Sequence, residues 1–285
     1  MHNMKYIISN EFLTATISAH GAELTSLKSK SKEYIWNGAA LYWAKHSPVL
    51  FPIVGTLKND LYVYEGKQYS MPRHGFARDC NFKIKSKTSK EILFSLQADA
   101  CSKKAYPFNF ELQLKYVLIG FDLKITYTVV NLDSKIIPFS IGAHPAFALS
   151  KNINQYSLLF EVQEVLKSFT LQNDLASDNF FEIELKNRIL PLNYNLFAND
   201  ALLFKTIKSK KIILLENDVP QVSIAFSDFK NLGIWTKLNA PFICLEPWLG
   251  YSDIVNHNQN IFEKEGIQIV KENCTFECSL IIAAL

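Results

Sequence analysis

A two-residue rhythm is the strongest constraint on how this chain can fold. In Phe121-Asp122-Leu123-Lys124-Ile125-Thr126-Tyr127-Thr128-Val129 the odd positions are apolar and the even ones polar, the pattern of an antiparallel strand with one face in a core and one in water. The C-terminus repeats it, with Phe276, Cys278, Leu280 and Ile282 on one side and Glu277 and Ser279 on the other. Similar runs at Ile92-Phe94-Leu96, Leu112-Leu114-Tyr116 and Val222-Ile224-Phe226 are separated by polar segments such as Lys85 to Glu91 and Lys208 to Lys211. No long stretch carries a helical period; only a short helical turn is expected, around Asp253 to His257. Internal repeats, low-complexity tracts and Pro/Gly/Ser linkers are missing, so residues 1–285 are expected to form one all-β domain, a large antiparallel β-sandwich.

The composition narrows the function. Apolar residues at 48% against 20% charged describe a globule with a sizeable core, and 21 Phe and 12 Tyr favour strands. The net charge of +3 comes from 30 basic and 27 acidic residues scattered along the chain, so no nucleic-acid partner is expected. The N-terminus lacks the apolar stretch of a signal peptide, and no run approaches the ~18–20 apolar residues of a membrane helix. A cytoplasmic protein with no membrane partner is expected. The five cysteines form no C-x-x-C pair and read as free thiols, with Cys274 and Cys278 expected to share one buried strand face. None of the six histidines (His2, His20, His46, His74, His144, His257) falls in an H-x-x-x-H or H-E-x-x-H pattern, and no glycine-rich nucleotide loop occurs. Neither a metal nor a cofactor is expected.

Two fragments carry chemistry. Gly142-Ala143-His144-Pro145-Ala146-Phe147 and Cys244-Leu245-Glu246-Pro247-Trp248 each set a titratable side chain before a proline. Proline pushes the preceding residue into extended geometry, which restricts where His144 and Glu246 can point. A histidine with an ordinary pKa near ~6.5 and a glutamate near ~4.3 make a matched acid and base around neutral pH. On residues alone, His144 also reads as a structural histidine at a strand end, and Glu246 as a salt-bridged carboxylate. The apolar run Pro241 to Leu245 and Trp248 around Glu246 favours function, because burying a carboxylate costs several kcal/mol (~) and is tolerated mostly at sites. Trp235 and Trp248 read either as an apolar platform for a sugar face or as plain core.

Those fragments, taken with Gly21-Ala22-Glu23-Leu24, Pro48-Val49-Leu50-Phe51-Pro52-Ile53-Val54-Gly55, His74-Gly75-Phe76-Ala77-Arg78-Asp79, Asp200-Ala201-Leu202 and the run Leu232 to Trp248, resemble in order and spacing the aldose 1-epimerase (galactose mutarotase-like) family, most closely its LacX-like branch. The resemblance implies the family's supersandwich, with a sugar in an open cleft on one concave sheet face. It implies that His144 protonates the sugar ring oxygen as general acid and that Glu246 takes the C1 hydroxyl proton as base. It further implies His74 near the ring oxygen and Asp200 on the sugar hydroxyls. The expected activity is interconversion of the α and β anomers of a hexose, without a cofactor, by a monomer or homodimer.

One departure stands out. Family members commonly carry an arginine just after the glycine that closes the LFP-type segment, whereas here Thr56 follows Gly55, leaving Lys58 or Arg78 to replace it. The segments expected at the distal end of the cleft offer Lys45, His46, Lys58, Arg73 and Arg78, which do not amount to a phosphate clamp. A neutral aldose is therefore the expected substrate, with Arg78 mainly holding the His74 loop. The alternatives are a hexose-6-phosphate 1-epimerase and a non-catalytic carbohydrate-binding protein of the same fold; a glycosidase would want two carboxylates.

Overall fold

The computed structural model describes residues 4–30 and 32–285. Each alternating run of the sequence coincides with a strand, Phe121 and Phe226 lying one residue outside theirs. The first belongs to Asp122–Asn131, the C-terminal one to Thr275–Ala284, and the others to Glu91–Gln97, Phe110–Ile119 and Val219–Ala225. All five join one nine-stranded antiparallel sheet, which also holds Lys83–Lys87, Tyr156–Phe160, Ile189–Pro191 and Lys211–Glu216. Inside it Leu123, Ile125, Tyr127 and Val129 are buried together with their cross-strand neighbours Leu112, Leu114, Tyr116, Cys278, Leu280 and Ile282.

A second sheet of eight strands supplies the opposing layer. Its order runs Leu175–Glu184, Val165–Gln172, Leu202–Phe204, Asn231–Trp235, Phe242–Leu249, Ile141–Ala143 and Val49–Leu50, with Ala146–Ala148 also paired to Phe242–Leu249. Leu166, Leu202, Phe204, Leu232, Ile234, Ile243, Leu245 and Leu249 from this sheet share one continuous core with the first sheet, which makes the molecule the expected β-sandwich. The alternate residues Phe242, Cys244 and Trp248 join two smaller clusters on the outer face. There Leu50, Val54, Ala176, Leu203 and Tyr251 gather around Trp248, and Trp36, Ala146 and Ala240 around Phe242 and Cys244. A strand with one face in the main core and the other covered by these clusters reads as continuously apolar, which is why FICLEPWL shows no alternation.

Two local expectations fail. Asp253 to His257 forms no helical turn: Ile254 bridges Ala176, and a single bond from the His257 N–H to the Ile254 carbonyl closes the bend. The Asp253 carboxylate is instead committed to tertiary partners, to Lys264 Nζ at 3.0 Å and the Lys58 N–H at 2.9 Å. Cys278 is buried, but Cys274 is exposed, because the last strand begins only at Thr275. Among the described residues no helix is long and apolar enough to cross a membrane.

Candidate active site

Prolines open the sheet where the two titratable residues meet. Gly142 pairs with Trp248 and Ala146 with Cys244, so continuing the antiparallel register across the gap sets His144 opposite Glu246, with Pro145 opposite Leu245 and Pro247 opposite Ala143. Neither proline has an N–H to give to a ladder. The regular pairing lapses for these residues, with only the Leu245 N–H reaching the Pro145 carbonyl at 3.2 Å. His144 Nε2 comes to 3.0 Å from Glu246 Oε2. The contact is not linear enough to be a hydrogen bond, and Oε2 is left buried without a partner.

Glycines flank the floor. Trp248 lies over both neighbouring strands, where an added Cβ at Gly142 would stand 2.5 Å from its Cδ1 and one at Gly233 would stand 2.4 Å from its Cη2. Only glycine on each side lets the indole lie flat; its buried Nε1 has no partner. An aromatic wall rises beside it. Trp43 stacks on the His144 ring at 4.8 Å with 27° between planes, and Trp235 meets the same ring edge-on at 6.0 Å.

His74 sits at positive φ on the rim, its ring 5.9 Å from that of His144. The Gly55 N–H, held by the backbone, donates to His74 Nδ1 at 3.1 Å. That assigns the neutral tautomer with its proton on Nε2, since a neutral imidazole has only one accepting nitrogen. Arg73 Nε, 3.3 Å from Nε2 and on a more exposed side chain, is then a close neighbour and not a second donor to the ring. Arg73 also lies 3.2 Å from Asp174 and 3.9 Å from Asp200. Arg78 donates to the Arg73 carbonyl at 2.8 Å, which ties the His74 loop together, and stands 3.6 Å from Asp79.

These side chains enclose a cleft of about 400 Å³, a volume suited to a small ligand. His144, Glu246, His74, Arg78, Asp200, Trp235 and Trp248, all singled out from sequence, line it together. Trp43 and Ala201 line it as well and were not foreseen; Arg73, seen in sequence only as one of several distal cations, belongs to it too. Trp43 lies in an irregular loop with no periodic pattern, and its one sequence signal is the aromatic pair Tyr42-Trp43 among small residues. Lys45, His46 and Lys58 are not in the lining. Lys45 pairs with Asp79, His46 stands beside Glu23, and Lys58 Nζ donates to the His257 carbonyl, so Lys58 does not take the place of an arginine at position 56.

Burial governs the electrostatics. It holds His144 down at about 3, with Arg78 and Arg73 adding to the effect, and pushes Glu246 well above the usual carboxylate range, Arg73 opposing and Asp200 adding. His74 is held well below the ordinary histidine value by burial first, then by His144, Arg73 and Arg78. The His144–Glu246 pair therefore favours the state in which it holds one proton and no net charge, and His74 stays a neutral donor.

Comparison with known proteins agrees with this geometry. The sequence profile described as aldose 1-epimerase matches residues 4–267. The plasmid-borne protein LacX of Lactococcus lactis subsp. lactis is 34% identical over 272 residues, covering 90% of this chain and 91% of LacX. A galactose mutarotase related enzyme from Lactobacillus acidophilus superposes with a TM-score of 0.93 at 30% identity, covering 99% of this chain and 97% of its own. A galactose mutarotase-like protein from Lactobacillus casei ATCC 334 gives 0.94 at 30% identity, covering 99% and 100%. A match running through both layers of the sandwich and through the segments that carry His144 and Glu246 makes this chain a member of the aldose 1-epimerase family.

Proposed function

We propose that the chain is an aldose 1-epimerase that interconverts the α and β anomers of a neutral hexose. The observation that carries this reading is the 3.0 Å approach of His144 Nε2 to Glu246 Oε2, both buried and both lining the cleft. With the pair's proton on His144, Glu246 takes the proton of the C1 hydroxyl while His144 gives one to the ring oxygen. The C1–O5 bond breaks and C1=O1 forms. The aldehyde rotates about C1–C2, O5 attacks the other face, Glu246 returns its proton to O1 and His144 recovers the one from O5. Every proton is restored, and the pair holds one at each resting point. His74 Nε2–H steadies the ring oxygen, Asp200 accepts from sugar hydroxyls, and Trp248 carries the apolar face of the ring.

Both arginines of the cleft already stand near acidic groups, while the buried Arg78 Nε makes no hydrogen bond. Arg73 is paired with Asp174 and Asp200, and Arg78 with Asp79 and the Arg73 carbonyl. This favours a neutral aldose over its 6-phosphate. The presence of two arginines in the lining keeps the phosphorylated substrate as the second reading.

Anomer exchange followed by NMR on freshly dissolved glucose and galactose and on their 6-phosphates tests the proposal. Glu246→Gln and His144→Ala are each expected to slow exchange at least ~10²-fold with the fold intact. Near-normal exchange in either variant, after subtracting the uncatalysed rate, removes that residue from the mechanism, and a preference for the phosphates of tenfold or more (about 1.4 kcal/mol) selects the second reading. The pH profile is a further check. A second proton on the pair, loading the imidazole, stops the reaction at low pH, and loss of the last one from Glu246 stops it at high pH. Since burial holds His144 at about 3, the acid limb of kcat/KM is expected well below the ordinary ~6.5 of histidine; an acid limb centred there contradicts a shared proton.

A further inference from the structure

Cys244 has no part in the proposed reaction, yet it lies against the groups that do. It stands two residues before Glu246 on the outer face of the same strand, fully buried behind the cleft lining. Its Sγ, a ring nitrogen of His144 and a carboxylate oxygen of Glu246 all lie within 4.8 Å of one another. Glu246 Oε2 is also a buried acceptor without a hydrogen-bond partner. Thiolate, imidazole and carboxylate together are the donor set that selects Zn²⁺ and similar soft-to-borderline divalent ions over Mg²⁺ or Ca²⁺.

We infer that His144, Cys244 and Glu246 form an inhibitory site for a thiophilic divalent cation, Zn²⁺ being the natural occupant, that excludes the sugar. Zn–N and Zn–O bonds of about 2.0–2.2 Å and Zn–S of about 2.3 Å place ligand atoms roughly 3.3–3.8 Å apart around a tetrahedral ion. The Nε2–Oε2 separation of 3.0 Å is slightly under that spacing and the three ligand atoms lie within 4.8 Å of one another, so binding requires the histidine–glutamate pair to spread a little and the Cys244 Sγ to draw in. Binding releases two protons, one from the thiol and one from the His144–Glu246 pair, so affinity falls as pH is lowered. Burial and the neighbouring carboxylate raise the Cys244 thiol well above its ordinary range, so it stays protonated and inert when no metal is bound. A bound ion occupies the acid and the base at once. Linear motifs do not show this site because Cys244 and Glu246 come from one strand and His144 from the break just before the strand paired to it.

The test uses direct metal binding as well as turnover, so that failure of the epimerase reading and failure of this one can be told apart. Cd²⁺ added to protein in which the exposed Cys101 and Cys274 and the part-exposed Cys80 are replaced by serine is expected to give a thiolate-to-metal charge-transfer absorption that is lost on adding Cys244→Ala. Zn²⁺ is expected to inhibit anomer exchange competitively with sugar and reversibly on EDTA addition. Cys244→Ala should keep its basal activity and resist Zn²⁺ at least about tenfold better, having lost one of three ligands. Cys244→Ser serves as a second variant should the alanine pack poorly. No Cys244-dependent charge-transfer band, equal Zn²⁺ sensitivity in the variants, or inhibition by Mg²⁺ at the same concentration would each overturn the site.

Discussion

At the scale of single residues, the histidine proposed as the acid is defined by what surrounds it. His144 is faced by Glu246, His74, Arg73, Arg78 and the thiol of Cys244, and the two arginines and burial all oppose its protonated form. The Trp43 ring stacked on it at 4.8 Å works the other way, offering a π face to the imidazolium that forms during turnover. Trp43→Leu is expected to lower kcat/KM about tenfold, as befits roughly 1–2 kcal/mol of desolvated cation–π contact. It should also move the acid limb of the pH profile further down, because the doubly protonated pair is then harder to form. Trp43→Phe should recover most of both effects; a loss of rate with an unmoved limb would reduce Trp43 to a packing role. His144 and Glu246 were legible in sequence because a proline follows each, and His74 through the family resemblance of its segment. Trp43 was not, because its place over His144 depends on how a loop travels, with Trp36 Nε1 bonded to the Trp43 carbonyl, and no local pattern encodes that path.

Single strands show a second division of labour. In Phe242–Leu249 the odd positions enter the main core, while Glu246 and Trp248 on the even ones line the cleft. Alternation exposed the half-buried strands of the nine-stranded sheet to sequence reading. It was silent for this strand, which is buried throughout. The flat indole depends on the neighbouring strands as well. Gly233→Ala brings a Cβ to 2.4 Å from Trp248 Cη2, and is expected to cost about 1–3 kcal/mol by overpacking and to raise KM more than it lowers kcat. Adding Trp248→Ala should relieve the stability loss, so denaturant unfolding of the two single variants and the double is expected to be non-additive. Strict additivity would mean that the indole does not lie where the glycines allow.

Across the whole molecule, a buried ionic knot behind the cleft joins segments distant in sequence. Lys264 and Asp253 are both fully enclosed and 3.0 Å apart, and His257 stands 3.2 Å from the same carboxylate. Asp253 also receives the Lys58 N–H, and its own N–H donates to the Thr56 carbonyl. The knot thereby fixes the stretch after Gly55, whose N–H sets the His74 tautomer. Lys264→Met strands a buried carboxylate and is expected to destabilise by roughly 3–5 kcal/mol in denaturant unfolding, with Lys264→Met/Asp253→Leu recovering part of the loss. A loss below about 1 kcal/mol, typical of an exposed ion pair, would show that water reaches the site. Glu246 and Trp248 stand on a strand that shares the core and His144 in the two-residue break between Ile141–Ala143 and Ala146–Ala148, whereas Trp43, Arg73 and Asp200 hang from connecting loops. Changes in those loops leave the sandwich standing, so descendants of this scaffold can reshape the mouth of the cleft, and retune the groups beneath it, without rebuilding the frame.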